Sequence, residues 1–328
     1  MKKLKGSRYI SRTTKDSFFI QEKKRRLFVP FIIAGAVLAA LAVFAVIGLR
    51  YGGKVVVTEV KVESSQLPES FDGYRILQIT DLHGKELGDR QEKLKEIISK
   101  LDYDMVLFTG DYAGDSEDEE YFIRDLVACI DRDVPMFYIL GDCDYTPANA
   151  GGNSERWKMC IEPPSKIPVM NVFEECGVKF VYPARKITNA AGDSFYLTGI
   201  SYNKEILNEM DFDQDTDFSI SVTHKPVYYN VTSRLKDVNK RSLTEIDYDL
   251  SISGHTMGGQ YRLPVFGALF SEDEGWFPQE KSLKGLSRDD AGRYNYICGG
   301  IGVESGFRFF SNPEISIIEL KHAESKNG

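Results

Sequence analysis

Cysteine, histidine and, over most of the chain, positive charge are in short supply. Of 328 residues only five are cysteine: Cys129, Cys143, Cys160, Cys176 and Cys298. The number is odd and the spacing matches no zinc-binding pattern, so neither a disulfide framework nor a zinc module is indicated. Cys129 and Cys298 fall in apolar stretches and are expected in the core. Residues 1–26 hold ten Lys or Arg against Asp16 and Glu22, a net of +8, while the whole chain carries −8; the remainder therefore carries −16. So acidic a domain is a poor partner for nucleic acid, whose phosphates select basic surfaces, and no nucleic-acid binding is expected. No internal repeat is present. The apolar fraction, 42%, is ordinary for a protein with a folded core.

Long apolar runs are also missing, with one exception. Leu27 to Leu49 reads LFVPFIIAGAVLAALAVFAVIGL, 23 residues without a charge. At about 1.5 Å per residue it would span roughly 35 Å as a helix, enough for a bilayer core of about 30 Å. It is longer than the apolar region of a signal peptide, about 7–15 residues, and Arg50-Tyr51 follows without a small-residue cleavage site. It reads as a retained transmembrane helix, with Pro30 tolerated near its start. Lys23, Lys24, Arg25 and Arg26 precede it, and the positive-inside bias makes 1–26 a basic cytoplasmic N-terminus with everything beyond Arg50 outside. Residues 50–73 read as a linker containing a first strand, Val55 to Val62.

From Tyr74 the pattern becomes regular. Short apolar runs, Arg75–Thr80, Asp104–Thr109 and Pro135–Leu140, alternate with helical spacing over Asp89–Leu101 and Glu117–Ile130. Strands alternating with helices imply a largely parallel α/β sheet. Further strands are expected at Lys179–Tyr182, Ser194–Ile200, Phe218–Thr223, Leu250–Ser253, Tyr294–Cys298 and Ile315–Leu320. The tail after Leu320 is polar and expected to fray.

The first three strands end in Asp81, Asp111 and Asp142. One such Asp is ordinarily a helix cap; three in succession at strand ends, where open α/β sheets bind ligands, point to a site. Three of the four histidines join them: His83 two residues after Asp81, His224 closing SISVTH, and His255 closing DLSISGH. Mixed carboxylate and imidazole donors suit manganese, iron or zinc rather than calcium. A shared carboxylate would give a two-metal site with a spacing of roughly 3.5–4 Å, suited to in-line attack at phosphorus.

In order along the chain, Asp81-Leu82-His83, Gly110-Asp111, Gly141-Asp142-Cys143-Asp144, His224-Lys225-Pro226 and Gly254-His255-Thr256-Met257 resemble the five motifs of the calcineurin-like metallophosphoesterases. Gly258-Gly259-Gln260 adds a likeness to the membrane-anchored bacterial branch. The resemblance covers about residues 74–320. It implies a metallophosphoesterase domain over 74–328, a four-layer α/β/β/α sandwich with two central mixed sheets. It also implies two divalent metal ions, with Asp111 bridging, Asp81 and His83 on the first, and Asp142, His224 and His255 on the second. Asp111, Asp142, Cys143 and His224 occupy the catalytic positions.

Two departures stand out. The third motif is usually Gly-Asn-His-Asp/Glu, and here Asp142 and Cys143 replace Asn and His. The last is usually Gly-His-x-His, and Met257 replaces its second His. The missing groups are the general acid, or substrate-positioning group, and a ligand of the first metal. Cys143 could ligate instead, or with Met257 could only fill space. Leu263–Phe277, with Phe266, Leu269, Phe270, Trp276 and Phe277, reads as core or loop packing, with an apolar lip over the site as the alternative. The expected function is hydrolysis of a phosphate ester or pyrophosphate, on a small-molecule or lipid-linked substrate, at the outer face of a bacterial cell membrane. The departures leave open an attenuated enzyme, or a degenerate domain that binds a phosphorylated envelope ligand without turning it over.

Overall fold

The computed structural model describes residues 13–112, 119–130, 133–144, 168–182, 184–199, 212–213, 216–226, 248–271, 274–278, 282–303 and 306–324, with side chains described from residue 28 onward except at residue 119. The basic residues before 13 and Cys160 lie outside the described residues. The chain divides into two compact units, Met1–Gly48 and Leu49–Gly328.

The first unit is helical. Helix α1 spans Thr13–Gly52, so Pro30 sits inside it rather than near its start. Proline lacks the N–H that would bond the carbonyl four residues back. Over Phe28–Gly52 the helix is long and apolar enough to cross a membrane. Its apolar side chains, Phe31, Ile32 and Leu38 among them, point outward, the reverse of a soluble core helix.

The second unit is built on two mixed six-stranded sheets. The first has the order β1 (Val56–Ser64), β15 (Glu314–His322), β2 (Arg75–Ile79), β3 (Met105–Thr109), β4 (Met136–Ile139), β5 (Lys179–Phe180). β2, β3, β4 and β5 run parallel, and β15 lies antiparallel to β2. The second has the order β13 (Gly285–Arg288), β14 (Tyr294–Ile297), β9 (Leu250–Ser253), β8 (Ser219–Val222), β7 (Ser194–Thr198), β6 (Ala184–Thr188). β14, β9, β8 and β7 are parallel there. A small third sheet holds β10 (Tyr261–Leu263), β11 (Gly267–Ser271) and β12 (Gly275–Trp276).

Side-chain alternation explains the layering, because successive residues of a strand face opposite sides. On one face of the first sheet, Leu77, Ile79, Val106 and Phe108 pack with Leu94 and Ile98 of α2 (Glu92–Ile98), Ile123 and Leu126 of α3 (Glu119–Val127), and Phe173 of the helix Pro168–Glu175. On the other face, Ile76, Met105, Leu107 and Ile318 meet Leu197, Ile220, Val222, Leu250 and Ile252 of the second sheet. Both faces of these strands are buried, hence their near-continuous apolar character. Among the described residues, no further helix forms the second helical layer of the expected sandwich.

The structure corrects several details. The first strand, expected at Val55 to Val62, runs as β1 from Val56 to Ser64 and pairs with β15 over nine residues. The tail does not fray at Leu320. β15 continues to His322, whose N–H donates to Asp72 Oδ1 at 3.0 Å and whose Nδ1 lies 2.6 Å from the Leu67 carbonyl oxygen. The helix expected from Asp89 begins as a 3-10 turn, Asp89–Gln91, in which Arg90 and Gln91 take left-handed backbone, and only Glu92–Ile98 is α-helical. The helix Pro168–Glu175 and strands β6 and β10 to β13 were not expected. Most of those strands are short, half-exposed and interrupted by glycine.

Candidate metal centre

Parallel pairing brings the C-terminal ends of β2, β3 and β4 to one edge, and those of β8 and β9 likewise. Asp81, Asp111, Asp142, His224 and His255 all follow these ends. The chain must turn away there at once, and Asp81, His83, Asp111 and His255 adopt positive φ of 52°, 47°, 55° and 69°. Such backbone costs roughly 1–3 kcal/mol per residue and persists only where its surroundings enforce it. Here cross-strand bonds do so: Asp81 N–H to the Gly110 carbonyl and His83 N–H to that of Asp111, both at 3.0 Å. Gly110, at φ 99°, has no room for a side chain, since a Cβ would stand 2.5 Å from His224 Nδ1.

Asp111 is the centre. Its Oδ1 accepts the Cys143 N–H at 2.8 Å, which turns Oδ2 toward the histidines. His224 Nε2 lies 3.0 Å from Oδ2 and His83 Nε2 3.8 Å. His224 Nδ1 lies 2.8 Å from the Thr109 carbonyl, to which it donates, so Nε2 is the nitrogen left for the site. His255 Nδ1 stands 3.2 Å from His224 Nε2. Two groups of donor atoms result, each lying within 4.8 Å of one another: Asp111 with His224 and His255, and Asp111 with His83 and Cys143.

These residues fit a divalent cation. The His83 side chain is only 4% exposed, yet its Nε2 has no hydrogen-bond partner among the described residues. A buried polar atom left unpaired needs an explanation, and a cation beside Asp111 Oδ2 provides one. Burial opposes charge on His224, but the Asp111 carboxylate outweighs it and pushes the imidazole up to about 10. Burial likewise works against the Asp111 charge, and His224 and His83 with the Cys143 N–H hold the carboxyl well below the usual range. Asp81 is pushed up, chiefly by burial.

Asp81 and Asp142 stand differently. Both Asp81 oxygens accept the His255 N–H, at 2.9 and 3.1 Å. Partly exposed Asp142 has its Oδ2 2.6 Å from Lys225 Nζ and 3.9 Å from His255 Nδ1. Met257 is buried, and its carbonyl accepts from Arg308 Nη1 at 2.8 Å.

Asp144, Lys225 and Arg308 also support the site. Buried Asp144 accepts the N–H groups of Gly141, Asp111 and Tyr112 at 2.7–2.9 Å and so ties the end of β4 to the end of β3. Burial and the Asp111 charge push its carboxyl up, while the N–H donors pull it down. Lys225 follows His224 directly in His224-Lys225-Pro226, and that adjacency was its only signal in the sequence. Arg308 is buried and donates to the carbonyls of Gly299, Gly302 and Met257. Its signal was a lone cation within Phe307-Arg308-Phe309-Phe310.

The aromatic segment after the last motif is not core. Phe266, Trp276 and Phe277 are 81%, 62% and 75% exposed. Composition suggested burial, but β10 to β12 form a small sheet of their own, and one face of it stays uncovered among the described residues. Tyr261 and Trp276 stack at 5.8 Å within it.

Residues 74–259 match the model of the calcineurin-like phosphoesterases. The chain belongs to this family of metal-dependent enzymes acting on phosphate esters. It is 26% identical over 272 residues to the uncharacterized metallophosphoesterase YkuE of Bacillus subtilis (strain 168), covering 80% of this chain and 85% of that protein. It is 32% identical over 82 residues to the phosphodiesterase YaeI of Escherichia coli (strain K12), 25% of this chain and 28% of that one. A transmembrane protein with a metallophosphoesterase domain from Danio rerio is 25% identical over 123 residues, 37% of this chain and 28% of its own length.

Since Asp111 belongs to both donor groups, Asp111→Asn should be the most damaging single change. Its metal affinity should fall by more than the roughly 10–100-fold that loss of an outer-shell partner costs. Elemental analysis of the purified variant checks this; full metal content would remove Asp111 from the bridging position.

Proposed function

We propose that the chain hydrolyses a phosphate ester or pyrophosphate at the outer face of a bacterial cell membrane. It would use two divalent ions, manganese, iron or zinc, held by Asp81, His83, Asp111, Asp142, His224 and His255. The observation that carries this reading is the single Asp111 carboxylate common to two donor groups. A bound metal pair supplies positive charge to the phosphoryl oxygens and acidifies the attacking water. The protein's own part is orientation. Thr109 holds the His224 ring, the Cys143 N–H fixes the Asp111 carboxylate, and Lys225 brings a cation to the mouth beside Asp142. The place of the family's general acid carries Cys143, so we read the activity as attenuated, most of all on alkyl esters, whose leaving groups need a proton. The direct test is metal analysis of the purified full chain with an aryl phosphodiester assay. Two metals per chain and hydrolysis abolished by chelator are expected. A metal-loaded protein without turnover would instead favour a domain that only binds a phosphorylated envelope ligand.

We take residues 1–26 as cytoplasmic, 27–49 as transmembrane, 50–73 as the lead-in with the first strand, and 74–328 as the catalytic domain. The basic residues before the apolar span support this orientation. Protease added to intact cells or protoplasts should digest the chain beyond Arg50; protection until lysis would reverse the topology.

A lipid-linked phosphate suits the site better than a small soluble one. The exposed aromatic lip follows directly from the last motif through Gly258-Gly259-Gln260. The loop that Gln260 Nε2 grips at Phe307 also reaches, through Asn312 Nδ2, the carbonyls of Tyr51 and Lys54, among the first residues of the second unit. Removing a large apolar side chain from an apolar contact costs about 1.5–3 kcal/mol. Trp276→Ser with Phe277→Ser should therefore lower turnover of a lipid-linked phosphate about tenfold or more and spare a soluble aryl ester. Equal losses on both would remove the lip from substrate binding.

A further inference from the structure

The departure at Met257 leaves the donor group around His83 short of a ligand. Met257 is buried at φ 51°, and its carbonyl is bound by Arg308 and Ser311. Its thioether is a poor donor for a hard cation. Asp81 keeps lone pairs for an ion although both its oxygens accept the His255 N–H. His83 Nε2 is buried, has no hydrogen-bond partner among the described residues, and lies 3.8 Å from Asp111 Oδ2. The third member of that group is Cys143, with one donor atom each of His83, Asp111 and Cys143 lying within 4.8 Å of one another.

The backbone of Cys143 is fixed there. It lies on the 3-10 turn Asp142–Asp144, pinned on one side by its own N–H to Asp111 Oδ1 and on the other by Asp144, which bonds three N–H groups of the β3 and β4 ends. We propose that Cys143 is a thiolate ligand of the metal beside His83 and takes over the ligand role that Met257 cannot fill. The thiol proton passes to solvent as the metal–sulfur bond forms, so no other reactant is needed. This deepens the hydrolytic reading above and rests on it. It makes the first site an imidazole, carboxylate and thiolate set, which prefers zinc, cobalt or ferrous iron over manganese or magnesium. Cys143 then holds metal rather than a proton, and no side chain at that position can protonate the leaving group.

The test uses the full chain in detergent, stripped by chelator and titrated with cobalt(II). The natural protein should develop a near-ultraviolet thiolate-to-cobalt charge-transfer band. Cys143→Ser should lose the band and bind cobalt and zinc about tenfold or more weakly, at least the loss that outer-shell partners already cost. Cys143→His should bind metal without the band, and Met257→Ala should keep it. No band in the natural protein at saturating cobalt, or a band that survives Cys143→Ser, overturns the assignment. Hydrolysis measured on the same zinc-loaded samples separates the two readings. A band without turnover sinks the hydrolytic reading alone; two bound metals with turnover and no band sink the thiolate alone.

Discussion

The orientation of one carboxylate organises this molecule. Asp111 is buried, sits on left-handed backbone at the end of a central strand, and accepts the Cys143 N–H with one oxygen while the other faces two histidines from different parts of the chain, His224 at 3.0 Å and His83 at 3.8 Å. That arrangement needs β3 beside β4, so that the turn Asp142–Asp144 can reach back. It needs β8 and β9 facing them across the core, so that His224 and His255 arrive from the opposite sheet. The apolar interior between the sheets is what sets this distance. Isoleucine, leucine and valine from both sheets fill it, and the polar ends of their strands converge at one rim. Charge at the rim explains much of the rest. Carboxylates there are costly to bury without a counter-charge, and His224, Lys225 and the backbone N–H groups on Asp144 supply part of the compensation.

Much of this was legible in the sequence because the strands that carry the site are buried on both faces. Arg75–Thr80, Asp104–Thr109 and Phe218–Thr223 appear as short apolar runs, and each ends abruptly in a polar residue that must lie at the edge of a sheet. The strand ends brought Asp81, Asp111 and Asp142 into view, while the ordering of the five motifs and the pairing of Asp81 with His83 came from the resemblance to the calcineurin-like metallophosphoesterases. Left illegible were features that depend on how loops fold over the rim. Nothing in the spacing shows that Cys143 comes within reach of His83, that Lys225 turns onto Asp142, or that Arg308 passes beneath Met257 to gather three carbonyls. Segments β10 to β13 escaped for another reason: they are two to five residues long, glycine-rich and half-exposed, so neither alternation nor a continuous apolar run marks them.

The lip shows the limit of composition as a guide. Leu263–Phe277 has the residues of a core segment, but a three-stranded sheet too small to close on itself leaves Phe266, Trp276 and Phe277 in the open. Aromatic residues are the usual choice where a protein meets a membrane interface, since their bodies are apolar and, in tryptophan, one edge is polar.

The central question is whether the Asp111 carboxylate joins two ions. Anomalous X-ray scattering from crystals of the full chain grown with zinc and then manganese tests it most directly. Two peaks roughly 3.5–4 Å apart, as two-metal sites require, one toward His83 and one toward His224 and His255, are the predicted result. A single peak, or two peaks that do not share Asp111, would contradict it.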